Sequence, residues 1–212
     1  VAPEDGMPVL FRTLFLVWVV SGVTAQGADW LSSGQDVDKG FPLSKEEQDA
    51  TRITALDGDT FFLRLGVGSG WHGLNVFTMD AVGACRFVAL PDGKKSVVIA
   101  FTGTADFRKA VIAQILDHGI GTMGKSYSAA VADGSQWILH FGDAHGSKTI
   151  YLDNFFPKPV VTLTELVNAE VDRNALAHPE AKSTTDAGDW RKLNSETWAL
   201  MHADATPAAT AP

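Results

Sequence analysis

WILHFGDAHGSKTIYLDNFF, residues Trp137 to Phe156, decides how the rest of the chain is read. An apolar run from Trp137 to Phe141 meets two glycines four positions apart, Gly142 and Gly146, and a second apolar stretch follows from Ile150. Three chemistries use a strand that ends in a glycine-framed turn. A nucleophile elbow, G-x-S-x-G, holds a serine on a strained strand-to-helix turn. Here the frame is Gly142, Asp143, Ala144, His145, Gly146, with Ala144 at the nucleophile position, where a methyl group cannot attack a carbonyl. A phosphate loop, G-x-x-x-x-G-K-[ST], would run from Gly142 to Thr149, with Lys148 and Thr149 in place and Ser147 where the second glycine belongs. The third reading is a β-hairpin with Asp143 to Gly146 as its turn. Ile150 and Leu152 alternate with Tyr151 and Asp153 as a return strand requires.

Composition narrows the field. The chain has 212 residues, enough for one domain with a substantial core. A hydrophobic fraction of 45% against 20% charged places it among ordinary globular proteins. A net charge of −8 without a basic run argues against nucleic acid as a partner. The single cysteine, Cys85, lies in a strand-like stretch and reads as a buried structural thiol. There is no CxxC or HExxH pattern, so no metal site is readable, and no cofactor signature is present. Gly142 to Gly146 also spells the Gly-Asp-x-His-Gly of metallophosphoesterases, but the later carboxylate and histidine motifs of a two-metal site do not follow.

Met7 to Ala25 has the layout of a secretory signal peptide: Arg12, an apolar core from Thr13 to Val20, and small residues at Val23 to Ala25. Residues 1–25 are therefore expected to direct export to a periplasmic or extracellular place, or to anchor the chain in a membrane. Residues 26–43 read as a linker or wrapping loop, and 44–203 as the globular domain. A tail of alanine, proline and threonine, 204–212, has little to pack with. Ser44 to Glu47 is a capping box that opens a short helix from Lys45 to about Ala55. Phe61 to Val67 and Leu74 to Met79 read as strands, separated by a glycine-broken loop around Trp71 and an exposed His72. Arg86 to Leu90 and Ser96 to Phe101 flank a Pro-Asp-Gly turn and predict a hairpin. Ala105 to His118 predicts a helix with Phe107, Val111 and Ile115 on its apolar stripe and Gly119 at its end. Tyr127 to Ala132 reads as one helical turn, Val160 to Leu163 as a strand or a helix entry, and Trp190 to Met201 as a final amphipathic helix. Lys148 reads as an exposed strand lysine.

Ser96 to Thr104, SVVIAFTGT, resembles the strand of class 3 lipases that ends in an Ala-Phe-Arg-Gly-Thr pattern. The resemblance implies an α/β-hydrolase arrangement over roughly Arg86 to Ala177. The loop carrying Thr102 and Thr104 would then help form the oxyanion hole, with Thr102 in place of the usual arginine. It also implies that Ala144 stands where that family has its serine, and that Asp189 and His202 follow in the aspartate-then-histidine order. Such a protein would be an inactive form of a lipase-like ester hydrolase.

The sequence therefore predicts an α/β or α+β single domain with a central mixed sheet and a few flanking helices. The function expected first is a non-catalytic binding or accessory subunit, exported or membrane-tethered, whose partner is another protein subunit or a membrane lipid. The inactive lipase-like hydrolase and a phosphate-loop nucleotide binder are the alternatives. The candidate binding residues are Gly142, Asp143, His145, Gly146, Thr102 and Thr104. The catalytic positions are Ala144, Asp189 and His202.

Overall fold

A computed structural model describes residues 52–91, 93–129 and 134–203. Runs of alternating burial build four strands that follow one another up and down: β1 (Phe62–Ser69), β2 (Gly73–Met79), β3 (Ala84–Ala89) and β4 (Lys95–Thr102). Helix α1 (Ala105–Asp117) follows, with Phe107, Val111 and Ile115 buried as the stripe predicts. Then come β5 (Ser126–Ser128), β6 (Gln136–Asp143), β7 (Gly146–Asp153), α2 (Lys158–Ala177), β8 (Lys182–Asp186) and α3 (Gly188–Ala203). The strands form one eight-stranded sheet in the order β5-β7-β6-β1-β2-β3-β4-β8. Among the described residues only β5 with β7 is a parallel pair, so the domain is a central mixed sheet flanked by three α-helices.

Alternation sorts the side chains onto two faces. Leu63, Leu65, Phe77, Met79, Phe87, Ile99, Leu139, Phe141, Ile150 and Leu152 join the apolar stripes of α1 and α2 in the larger core. Leu74, Val76, Val88, Val98 and Ile138 point to the opposite face and pack beneath Leu193, Trp190, Trp198 and Met201 of α3. This second core is smaller because α3 alone covers it. The helix is fastened by main-chain hydrogen bonds to Leu74: the indole Nε1 of Trp190 donates to its carbonyl at 2.8 Å, and its N–H donates to Oδ1 of Asn194 at 2.8 Å.

Several expectations are corrected. The glycines from 66 to 73 do not make a loose loop; β1 and β2 pair in register from Leu63↔Met79 to Ser69↔Gly73. Gly68 serves that pairing, since a Cβ there would press into the Gly73 carbonyl. Tyr127 sits in β5 rather than a helical turn, because its strand finds the edge of β7. Of the two readings of Val160 to Leu163, the helix entry is the one that forms: they belong to α2, whose buried positions Val160, Leu163, Val167 and Val171 recur at helical spacing. β8, polar and exposed, carries no apolar signal and went unread. Residues 52–55 are not helical; the rest of the helix expected from Lys45 lies outside the described residues. The expectation of a membrane-associated chain is also corrected: among the described residues no helix is long and apolar enough to cross a membrane. Residues 1–25, on which the signal-peptide and secreted readings rest, lie outside the described residues, as do 26–43 and 204–212.

Candidate functional site

The turn at the centre of the sequence is a hairpin. β6 and β7 are antiparallel neighbours in register from Gln136↔Asp153 to Asp143↔Gly146. Asp143 organises the turn. Its Oδ1 accepts from the N–H groups of His145 at 2.8 Å and Gly146 at 3.3 Å, and its Oδ2 accepts from the N–H of Asp57 at 2.8 Å. These N–H donors, that of Asp57 first, hold the Asp143 carboxyl below the usual carboxylate range. The carboxylate is thus spent on architecture. Ala144 and His145 are exposed at the tip, and the Ala144 N–H donates to the Thr60 hydroxyl at 3.2 Å.

Neither active-site geometry forms here. An elbow or a phosphate loop needs a helix after the second glycine, and the chain gives strand β7 instead. Lys148 is not an exposed strand lysine either. It is only 3% exposed, and its Nζ donates to the carbonyls of Gly121, at 3.0 Å, and Met123. Asp189 lies in the first turn of α3 and His202 in its last, about 20 Å apart along the axis, so the two cannot act as a pair. Thr104 caps α1, its hydroxyl accepting from the Phe107 N–H at 3.1 Å. Thr102 ends β4 opposite Ala84. An Ala144→Ser protein is accordingly expected to fold and to hydrolyse p-nitrophenyl acetate no faster than the parent. Serine-dependent turnover would reinstate the elbow.

A different set of residues does converge. On the face that α3 covers, cross-strand register places Ala100, Arg86, Thr78, Arg64, His140 and Thr149 in one row across β4, β3, β2, β1, β6 and β7. Directly opposed residues point to the same face, so this row is continuous. α3 packs over the neighbouring apolar row, which contains Val76, Val88, Val98 and Ile138, and leaves this one partly open. An open groove of about 560 Å³ runs beside it, bounded by Phe62, Arg64, Thr78, Arg86, His140 and, from α3, Leu200.

Two guanidiniums dominate the groove. Arg64 and Arg86 are two strands apart, about 10 Å, with Thr78 between them. Arg86 pairs with Asp189 at 2.9 Å, and Arg64 reaches Glu196 at 3.7 Å. Both acids lie on the exposed side of α3, so each pair is solvent-facing and worth at most about 1 kcal/mol. His140 shares its Nδ1 with the Thr149 hydroxyl at 3.0 Å and lies with its ring 5.3 Å from that of Phe62. Asp80, an exposed acid that also lines the groove, turns its Oδ1 to the N–H groups of Val82 and Ala84 at 3.1 and 2.8 Å. Cys85 also borders the groove but is 3% exposed, and burial pushes its thiol up to about 11, which leaves it protonated and unreactive at neutral pH.

Of the residues singled out in the sequence, Thr102 and Gly142 flank this row one register step away, and Asp189 bears on it through Arg86. The row itself was missed. Arg86, Thr78, Arg64 and His140 are each one polar residue between apolar neighbours in their own strand, and only strand order aligns them. Among the described residues no cluster of three or more metal-ligating side chains occurs. A scan against protein-family models and a search of curated proteins both find no match for this chain.

Proposed function

We propose that the protein is a non-catalytic binding subunit whose recognition surface is the groove between α3 and the Arg86–Thr78–Arg64–His140 row. The observation that carries this reading is the convergence of two guanidiniums on one open groove in a chain of net charge −8. Arginine binds carboxylate and phosphate oxygens through a planar fork of donors, and the groove offers Thr78 as a further hydroxyl. The ligand is therefore one that carries negative charge at the point of contact. The two guanidiniums supply donors and charge rather than a nucleophile, and binding is the use we read in the arrangement.

The test is amide chemical-shift mapping of the purified chain with acetate and with inorganic phosphate at millimolar concentration, against sodium chloride at matched ionic strength. Shifts confined to Arg64, Thr78, Arg86 and His140, and lost in an Arg64→Gln/Arg86→Gln protein, are the expected result. Shifts scattered over the surface, or unchanged in that variant, would sink the reading. So would turnover of an ester or phosphate ester that a point substitution in the chain abolishes.

A further inference from the structure

This inference rests on the binding reading and names the ligand's chemistry. The groove has two kinds of wall. Arg64, Arg86, Thr78 and His140 supply charge and hydrogen bonds from one cross-strand row. The half-buried Phe62 and Leu200, with the exposed Ala84 and Ala100, supply an apolar lining beside them. Met79 and Cys85 also border the groove, though both belong to the core on the other face of the sheet. A volume of about 560 Å³ falls within the range of small-molecule sites and well above what a bare anion fills. Leu200 is the informative residue. It is half-buried on α3 and brings an apolar side chain to a groove whose other wall is charged.

We infer that the groove takes a single-chain anionic amphiphile: a carboxylate or phosphate head between Arg64 and Arg86, and an acyl or aryl body against Phe62 and Leu200. The head enters by competing with Asp189 and Glu196, whose pairs with the two arginines lie open to solvent. The body displaces water from the apolar wall, and each methylene that is fully buried strengthens binding about fourfold. Lodging two or three methylenes in so open a groove gives at least a tenfold gain over the head alone.

The experiment titrates the full chain with octanoate, octyl phosphate, acetate and octanol, each below its micelle concentration, and follows the amides of Phe62, Arg64, Thr78, Arg86 and Leu200. Octanoate is expected to bind at least about tenfold tighter than acetate. Arg86→Gln should weaken both. Leu200→Ser should bring octanoate to within about twofold of acetate and leave acetate unchanged. Ala100→Asp, which adds a carboxylate at an exposed position without removing packing, should abolish both and covers the case in which Leu200→Ser fails to fold. Octyl phosphate tighter than octanoate assigns the head to phosphate, and the reverse assigns it to carboxylate; either supports the inference. Octanoate no tighter than acetate overturns the amphiphile but leaves the binding reading standing. Octanol equal to octanoate overturns it, because the arginines would then be idle. No anion binding at all removes both. Concentration-dependent shifts of the same amides without ligand would assign the groove to a second copy of the chain and overturn it as well.

Discussion

Replacing Lys148 by methionine is expected to remove a rise in stability of about 3 kcal/mol between pH 8 and pH 10.5. The amine lies 3% exposed on the core face of β7 and donates to the carbonyls of Gly121 and Met123. Burial, reinforced by the positive charges of Lys125 and Arg52, lowers its pKa from 10.5 to about 8. Between those two values the unfolded chain holds the proton and the folded chain does not. The unfolded state therefore binds more protons there, and stability climbs with pH. Below pH 8 both states are protonated, and the penalty for burying the cation is constant. Cys85, whose thiol burial raises to about 11, and Tyr151, also raised, pull the other way at the alkaline end. Both are present in wild type and variant, so the difference between the two proteins isolates Lys148. Urea unfolding of each at intervals from pH 7 to 10.5 measures it. Parallel profiles would show that the amine titrates as an exposed lysine does.

Lys148 also shows how far the sequence could be read. Ile150 and Leu152 announce a strand with an apolar face, and carrying the same period back one step puts Lys148 on that face. The charge of the side chain argued for solvent, yet a lysine stem is apolar and its head can be satisfied by main-chain oxygens. Those oxygens belong to the turn after α1, some 25 residues earlier, and no local pattern announces them. The same limit hid the groove. The β3–β4 hairpin was legible, because turn chemistry and alternation are local, and so was α1, because its stripe repeats every three to four residues; the β6–β7 hairpin stood as one of three readings. β8 was not: five polar residues, four of them exposed, become a strand only because β4 offers an open edge. Arg64, Arg86 and His140 each read as one polar residue inside an apolar strand. Strand order, which brings β3, β2, β1 and β6 side by side, makes them a row.

The two glycines that framed the central turn are expected to respond very differently to substitution, and the difference separates a hairpin from an elbow. In an elbow both glycines are needed, because neighbouring side chains would crowd the nucleophile from either side. In the hairpin seen here only Gly142 is crowded. A Cβ on it would lie 2.6 Å from the Ser147 Cα and well inside contact distance of the Gly146 carbonyl oxygen. Both are backbone atoms of the partner strand, so relief requires β6 and β7 to part at the turn. That movement would also pull the Asp143 carboxylate away from the His145 and Asp57 N–H groups. Gly142→Ala is therefore expected to cost about 3 kcal/mol. The loss should appear first as faster amide exchange at His145 and at Asp57, whose N–H groups donate to that carboxylate. Gly146, by contrast, has nothing within 4 Å of an added Cβ and does not occupy the left-handed region. Gly146→Ala should change stability by less than about 0.5 kcal/mol. Chemical denaturation of the two variants beside the parent decides the matter. Equal, large losses would mean that both glycines are held in crowded or strained backbone, as an elbow demands. One large loss beside one negligible change is what a hairpin with a single close strand approach produces, and it would fix the role of this turn as architecture for the sheet that carries the arginine groove.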